Sequence, residues 1–490
     1  MIRVTLVWLF VITLSAYAWR DWYKSLCGLI LLMAVVQHPD FPNSALGVHG
    51  LNPWNILLLN VVLAWMAARG REGLKWDLPP KLMAYVGVFF FIIIIAYLRM
   101  VRDLDSINAF AEMRNEPVHG HLWMFSEYII NCFKWVIPGI LLYDGCRDDK
   151  RFRLAAYTLV GLFFLYALQV VRWMPLSMLT GADSLSERAL KIIENEIGFH
   201  RVNMAMLLAG GAWAMYTVRE LPRNVAGRFL LVLLSGFTVI AMVLTGGRMG
   251  IVTWVVLGAA FAFWRWRRLL VIGPVLLLIV LAVVPAARDR LMQGFGGGEI
   301  ATNSAGEETL YVDEGEPHWY TVTSGRSLAW PRVIEKISER PLAGYGRKAM
   351  QNTGLAAELA IQYNETFPHP HNAYLQWMFD NGIPAMIPVL ILFYIIIKQS
   401  KELFLDGRDT TYVAAGGLCL SLVLAFLFAG IGSQSFYPRE GAVGMWCAIG
   451  LMWRVAYQRA ALLNPAKAPS RRNVVSRIPR RIEPKIPRTT

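Results

Sequence analysis

Charge is what this chain of 490 residues has least of: Asp, Glu, Lys and Arg make up 17%, against 56% apolar residues, and mean hydropathy is +0.43. That balance excludes an ordinary soluble chain and is usual for a polytopic membrane protein. Acids are scarcer than bases, 34 against 48, and the centres of the apolar runs are nearly free of them. A transporter built on inverted repeats would need charged groups there, at the bilayer midplane. Cysteine is scarce too. Cys27, Cys132, Cys146, Cys419 and Cys447 lie in or beside apolar runs, and none falls in the one long polar segment. Their odd number and placement point to no disulfide framework and no cysteine metal site, so they read as packing residues. Gly246-Gly247 has no soluble strand, turn and helix around it, which argues against a dinucleotide fingerprint.

What is present is a succession of apolar runs, at about 4–18, 24–37, 54–68, 82–98, 122–143, 154–173, 198–218, 229–245, 249–264, 269–287, 372–397, 411–431 and 441–457. Each is near the length that crosses a hydrocarbon core of roughly 30 Å. The expected fold is an all-α polytopic membrane protein with about 12–13 transmembrane helices and one long external loop holding short amphipathic helices. The first run follows Arg3, but Tyr17-Ala18-Trp19 is no small-residue cleavage site, so it is read as retained. Four regions are expected: a helix bundle over 1–287, the loop over 288–371, further membrane helices over 372–458, and a basic, proline-rich tail over 459–490.

Basic connections at 69–81, 144–153, 219–228, 264–268 and 398–410 fall on alternate sides of the runs, which puts them in the cytoplasm. The opposite set faces outward: 38–53, which has no Lys or Arg, then 99–121, 174–197, 246–248, 288–371 and 432–440. The net charge of +14 is thereby explained by cytoplasmic connections and by the tail from Lys467 to Arg488. The partners it implies are anionic lipid headgroups rather than nucleic acid.

In the outward loop, Gly294 to Pro317 is rich in glycine and acids and is expected to be flexible. Leu328, Val333, Ile334 and Ile337 recur at near-helical spacing, predicting an amphipathic helix over Ser327–Arg340. Arg340-Pro341 stops it, Gly344-Tyr345-Gly346 turns the chain, and a second helical piece is expected from Arg347 to about Gln362.

Three residues stand out on the outward side. Arg248, in Thr245-Gly246-Gly247-Arg248, sits between two runs so close together that its guanidinium lies at the membrane boundary. It is either a functional cation or a snorkelling anchor. Arg326 opens the predicted amphipathic helix behind Gly325, where free backbone N–H groups and a guanidinium make an anion site; a solvated loop arginine is the alternative. His371 stands at the junction of loop and membrane, as a general base, a structural or capping histidine, or half of a metal site with His369. His200 and His318 bring no matched carboxylates, so no metal is assigned. Trp319, Tyr320 and Trp330 are aromatic candidates for stacking on sugars or for anchoring at the membrane interface.

Together these residues resemble the O-antigen ligase and polymerase superfamily of membrane glycosyltransferases. Thr245-Gly246-Gly247-Arg248 is similar to its arginine-bearing span start, and Ser324-Gly325-Arg326 with Trp330 and Pro341-Leu342-Ala343-Gly344-Tyr345-Gly346 to its loop signature. His371-Asn372, followed by Gly382, resembles its histidine motif. Gly198 to Asn203 resembles an upstream segment more loosely. Ala385 departs from the usual Gly, Thr or Tyr, which touches the choice between ligase and polymerase.

The resemblance implies metal-independent, cofactor-free, inverting transfer of a glycan from undecaprenyl diphosphate to a hydroxyl at the periplasmic face of a bacterial inner membrane. Lipid A core is the expected acceptor; another carrier-linked glycan or a protein Ser/Thr would serve a polymerase or a protein O-oligosaccharyltransferase. It further implies His371 as base, Arg326 and Arg248 as donors to the diphosphate, and Arg201, Asn203, Gly325, Trp330 and Asn372 as substrate-binding residues. A transporter of lipid-linked glycans is the reading of another class.

Overall fold

The computed structural model describes residues 2–45, 48–74, 76–177, 182–283, 285–292, 301–302, 308–310, 323, 325–363, 367–432 and 435–463. Among the described residues each apolar run falls on helix for most of its length, and the chain is an all-α polytopic membrane protein. Six helices among the described residues are long and apolar enough to cross a membrane: Pro80–Met113, His121–Gly145, Asp149–Trp173, Val225–Leu244, Ile383–Leu405 and Thr410–Ala429. Ile2–Ala18, Trp22–Val36 and Arg248–Trp264 are shorter apolar helices. Pro53–Glu72, Arg201–Val218, Leu269–Val283 and Val443–Leu463 complete the set of helices on the apolar runs. The basic tail from 464 onward, most of the Gly294–Pro317 stretch, His318, Trp319 and Tyr320 lie outside the described residues. Inside that stretch, Ala301–Thr302 and Glu308–Leu310 pair as an antiparallel ribbon where only flexible chain is expected.

Lipid gives helices no hydrophobic reason to associate, so close packing through small residues holds them together. Arg201–Val218 is the hub. Its Gly210 lies against Ala425 and Ser421, and Gly417 of Thr410–Ala429 lies against Thr217. At its first turn Ala205 meets Gly247 and Gly250: a Cβ on Gly250 would come 2.6 Å from the Ala205 Cβ and 3.0 Å from its backbone. Gly250→Val is therefore expected to force the two helices apart, at about 1–3 kcal/mol, and to pull Arg248 away from Arg201. Thermal unfolding of the purified protein checks this. Gly250→Ala should be partly rescued by Ala205→Gly, which removes the nearest atom; equal melting of Gly250→Ala and its double variant would contradict the contact.

Two ends of the bundle are distinguished by their connections. At one end Gly198 packs on the Gln37 backbone, Gly346 on Arg99 and Met100, and Gly432 on Met249. At the other, Arg454 pairs with Asp77 at 2.7 Å, Arg459 with Asp406 at 2.7 Å, and Arg153 donates to the Leu221 carbonyl. Segments expected outward thus share one end, and the basic connections share the other.

Two spans depart from expectation. The run at 372–397 is two helices, Ala373–Asn381 and Met386–Leu405. Gly382, at φ 85°, breaks the chain between them, where a Cβ would strike the Leu342 carbonyl. The span consequently runs on to Leu405, and Lys398 and Lys401 ride on its last turns; Lys401 lies 4.9 Å from the Trp264 ring. The run at 122–143 contains a π-helical turn at Ser126–Ile130 and restarts at Ile137, with Pro138 in its first turn where its missing N–H costs nothing. Two outward segments read as plain connections are helical: Leu104–Met113, which continues Pro80–Met100 past a 3-10 turn at Val101–Asp103, and Ala182–Ile197.

The loop folds over the bundle end. The amphipathic helix is Arg326–Glu339, within one residue of expectation, and the second piece is split by Gly354 at φ 74° into Ala349–Asn352 and Leu355–Tyr363. Ala329, Val333 and Ile337 bury against Met350, Leu355, Leu359, Phe367 and Phe379, with Phe110 from Leu104–Met113 closing the cluster. The loop is thereby a small core of its own, fixed to the membrane helices at several points.

Candidate active site

Arg201, Arg248 and Arg326 have one structural property in common: each is the first residue of a helix. The helices are Arg201–Val218, Arg248–Trp264 and Arg326–Glu339, and none has an acid in its first turn. Cations there oppose the helix dipole by about 0.3–1 kcal/mol each, and the three are brought together rather than kept apart. Arg248 is close enough for its charge to act on both Arg201 and Arg326, and Arg326 acts in turn on His200, His369 and His371. Glycines make the approach possible: Gly247 and Gly250 let the Arg248 helix onto Ala205, and Gly325, at φ 76°, turns the chain into the Arg326 helix.

Arg326 is only partly satisfied. One Nη donates to the Thr323 carbonyl at 3.1 Å, while its Nε is buried with no hydrogen-bond partner. Burial, and next Arg248, lower its pKa. A buried donor left unpaired costs about 1–3 kcal/mol, and an anion is a group that would pair it. Three guanidiniums and three helix N-termini give the cluster the means to hold one.

His371 faces this cluster in a held conformation. Its φ of 51° is in the left-handed region, costing a non-glycine residue on the order of 1 kcal/mol. Neighbours over-determine it. Trp330 Nε1 donates to the Pro370 carbonyl at 2.9 Å, Gln351 Nε2 to the Pro368 carbonyl at 2.9 Å, and the Ala373 N–H to the Gly430 carbonyl at 2.7 Å. The His371 N–H donates to His369 Nδ1 at 3.2 Å, which fixes that nitrogen as an unprotonated acceptor. Burial, then Arg326 and His200, push the His371 pKa down to about 4. Burial and then His371 push His369 down as well. At neutral pH His371 is an uncharged imidazole, able to accept a proton.

Of the residues expected to bind substrate, Asn203 lies on the first turn of the Arg201 helix. Two others have work within the protein. Asn372 Oδ1 accepts from the Tyr374 and Leu375 N–H groups at 3.0 and 3.1 Å, capping the helix that follows His371. Trp330 holds the Pro370 carbonyl. His369 and His371 have ring centroids 4.1 Å apart, but among the described residues no third ligand joins them in a metal-binding group.

Several site residues escape sequence reasoning. His200 caps the Arg201 helix, accepting from the Val202 N–H, and Arg439, in the outward connection 432–440, acts on His369. Arg439 is the one basic residue of that short connection, a signal by which it could have been found. On the histidine helix itself, buried Asp380 accepts from the Tyr437 hydroxyl at 2.9 Å and the Ala349 N–H at 3.2 Å. Burial pushes its pKa up to about 7. Arg347 lies 4.0 Å from the Tyr437 ring and donates to the Tyr128 carbonyl. The Pro341–Gly346 signature bonds to the same helix: Tyr345 and Gly346 N–H groups donate to the Phe379 and Asp380 carbonyls, and Arg99 holds the Ala343 carbonyl. These contacts join loop, histidine helix and spans into one rigid support.

Residues 229–390 match the family model described as O-antigen ligase, so the likeness read from the motifs holds over that segment. It includes Arg248, Gly325, Arg326, Trp330, His371 and Asn372 and leaves Arg201 and Asn203 outside. A stretch of 96 residues is 33% identical to the ComP-specific O-oligosaccharyltransferase of Acinetobacter baylyi (strain ATCC 33305 / BD413 / ADP1); it covers 17% of this chain and 17% of that protein.

Proposed function

With an O-antigen ligase domain at residues 229–390, this chain, we propose, is a membrane glycosyltransferase that moves a glycan from undecaprenyl diphosphate to a hydroxyl acceptor. The observation that carries the reading is the arginine cluster: three helix-opening guanidiniums, one with an unpaired buried Nε, beside a neutral histidine. A diphosphate is the anion that suits it. Its charge grows as it leaves, and fixed donors in a site that excludes water stabilise that charge by several kcal/mol.

In the proposed step the acceptor hydroxyl gives its proton to the His371 imidazole while its oxygen bonds to the anomeric carbon. The bond from that carbon to the diphosphate oxygen breaks, and the electron pair leaves with the diphosphate toward Arg248, Arg326 and Arg201. One displacement inverts the anomeric centre. Diphosphate leaves without a strong acid, so no paired carboxylates of glycosidase type are required. The site faces the periplasm of a bacterial inner membrane, as the alternation of basic connections supports.

The preferred acceptor is lipid A core oligosaccharide. The similarity to a relative named a ComP-specific O-oligosaccharyltransferase favours a second reading, a protein hydroxyl. Purified chain given undecaprenyl-diphosphate glycan with lipid A core, with a Ser-containing protein acceptor, or with neither, separates them. Product on lipid A core supports ligation, product on protein the second reading, and chain extension alone a polymerase. No product with any acceptor would return weight to the transporter reading.

The low His371 pKa sets a pH profile. In the free enzyme the base is deprotonated above about pH 4, so kcat/KM should stay flat from about pH 8 to about pH 5 and fall below. Bound diphosphate puts negative charge beside the imidazole and raises its pKa. The acid limb of kcat should thus lie at higher pH than that of kcat/KM, and coincident limbs would count against the diphosphate lying next to His371.

A further inference from the structure

At the bundle end opposite the arginine site, a cleft of about 310 Å³ opens between the first turns of Pro80–Met100, the second half of His121–Gly145 and Val443–Leu463. That volume falls in the range of ligand pockets. Trp76, Met83, Val86, Ile140, Trp446 and Trp453 make its lining apolar and aromatic. It is open sideways, because Met83 is 43% exposed and Trp76 and Ile140 38% each. Two of its walls are membrane spans, so the medium at that opening is hydrocarbon and the filling it admits is a lipid chain.

The rim is cationic. The Arg69 guanidinium lies 5.5 Å from the Trp76 ring centroid, and Arg69, Arg147 and Arg151 line a small adjoining pocket with Glu72 and Asp144. Arg69 lines that pocket and its guanidinium lies against Trp76 of the cleft, so the two adjoin there. Asp144 is shared by Arg69 and Arg147, and the three arginines outnumber the two acids. Basic pockets between membrane helices suit phosphate headgroups.

We propose that this cleft seats an acyl chain of an anionic phospholipid whose phosphate meets Arg69, Arg147 and Arg151 at the rim. The lipid is distinct from the glycan donor. Met83, Val86 and Gly87 lie near one end of a 21-residue helix whose other end, at Ala96–Met100, carries Gly346 and Arg347. About ten residues of helix, roughly 15 Å, separate the two positions.

Gly87 provides the test, since a Cβ there meets nothing within 4 Å and a large side chain fills the cleft without striking backbone. The full chain is purified in detergent and given phosphatidylglycerol or phosphatidylcholine of equal chain length, and bound lipid is counted by native mass spectrometry. Phosphatidylglycerol should be retained in preference, Gly87→Phe should lower its retention at least tenfold, and Arg151→Gln should abolish the preference. Gly87→Leu serves if the phenylalanine variant fails to fold, with thermal unfolding in detergent as the check. Equal retention by wild type and the filled variant overturns the cleft assignment. Equal retention of the two lipids by wild type overturns the headgroup assignment, and displacement of phosphatidylglycerol by undecaprenyl phosphate assigns the cleft to the donor chain instead.

Discussion

Replacing His371 with asparagine is expected to cut glycan transfer by about 10²–10⁴-fold, the usual contribution of a positioned general base, with the fold intact. Asparagine is the informative choice because His371 has a φ of 51°, a conformation that Asn adopts more readily than other residues bearing a Cβ. The loop should keep its course while the proton acceptor is lost. His371→Ala should be equally inactive and melt at or below the asparagine variant, because alanine fits the left-handed region less well. Full activity of either variant at normal protein levels would remove His371 from the chemistry. Inactivity with a collapsed melting temperature in both would recast it as a structural residue.

Arg326→Ala should lower transfer by about 10²–10³-fold, as loss of one preorganised donor to a developing anion does. A purely structural arginine would leave the pH profile where it was. Here Arg326 is the strongest charge holding the His371 pKa down, second only to burial. Its removal should move the acid limb of kcat/KM upward, from about 4 toward the ordinary histidine value near 6.5. Arg326→Lys keeps the charge and loses the planar fork; its rate should fall while the limb stays near the wild-type position. An Arg326→Lys variant as active as wild type would deny a bidentate contact, and an Arg326→Ala variant with an unmoved limb would place the guanidinium away from the base.

Much of this arrangement was legible in the chain because it rests on local rules. The spacing of Leu328, Val333, Ile334 and Ile337 locates the amphipathic helix to within a residue, but the buried face is Ala329, Val333 and Ile337, while Ile334 is exposed. Arg340-Pro341 ends it for steric reasons. Arg248 stands out because two closely spaced apolar runs leave it at the membrane boundary, and Arg326 because it opens the predicted helix behind Gly325. What stayed hidden depends on partners far along the chain. Asn372 reads as a polar residue beside a histidine, and its capping bonds become visible only once a helix is known to start at Ala373. Trp330 looks like a sugar platform until its N–H is seen on Pro370, 40 residues away.

The buried network of Arg347, Asp380 and Tyr437 gathers residues from three separate segments, and no periodicity announces it. The break at Gly382 is a further case. Hydropathy sees a continuous run from 372 to 397, whereas the close approach of Leu342 requires a glycine with positive φ at that point. The three helix-opening arginines fall between these categories: each breaks the rule that anions favour helix N-termini, and such local conflicts gather at functional sites. That signal could be read only after the helix starts were fixed.

The most direct test of the account is the anomeric configuration of the transferred sugar, read by NMR on product made by the purified chain from undecaprenyl-diphosphate glycan in the presence of EDTA. The account predicts product in undiminished yield with the configuration inverted, made by arginines and one histidine. A retained configuration would require a covalent intermediate that His371 as base does not supply, and loss of product in EDTA with rescue by a divalent ion would put a metal where the arginine cluster is proposed to act.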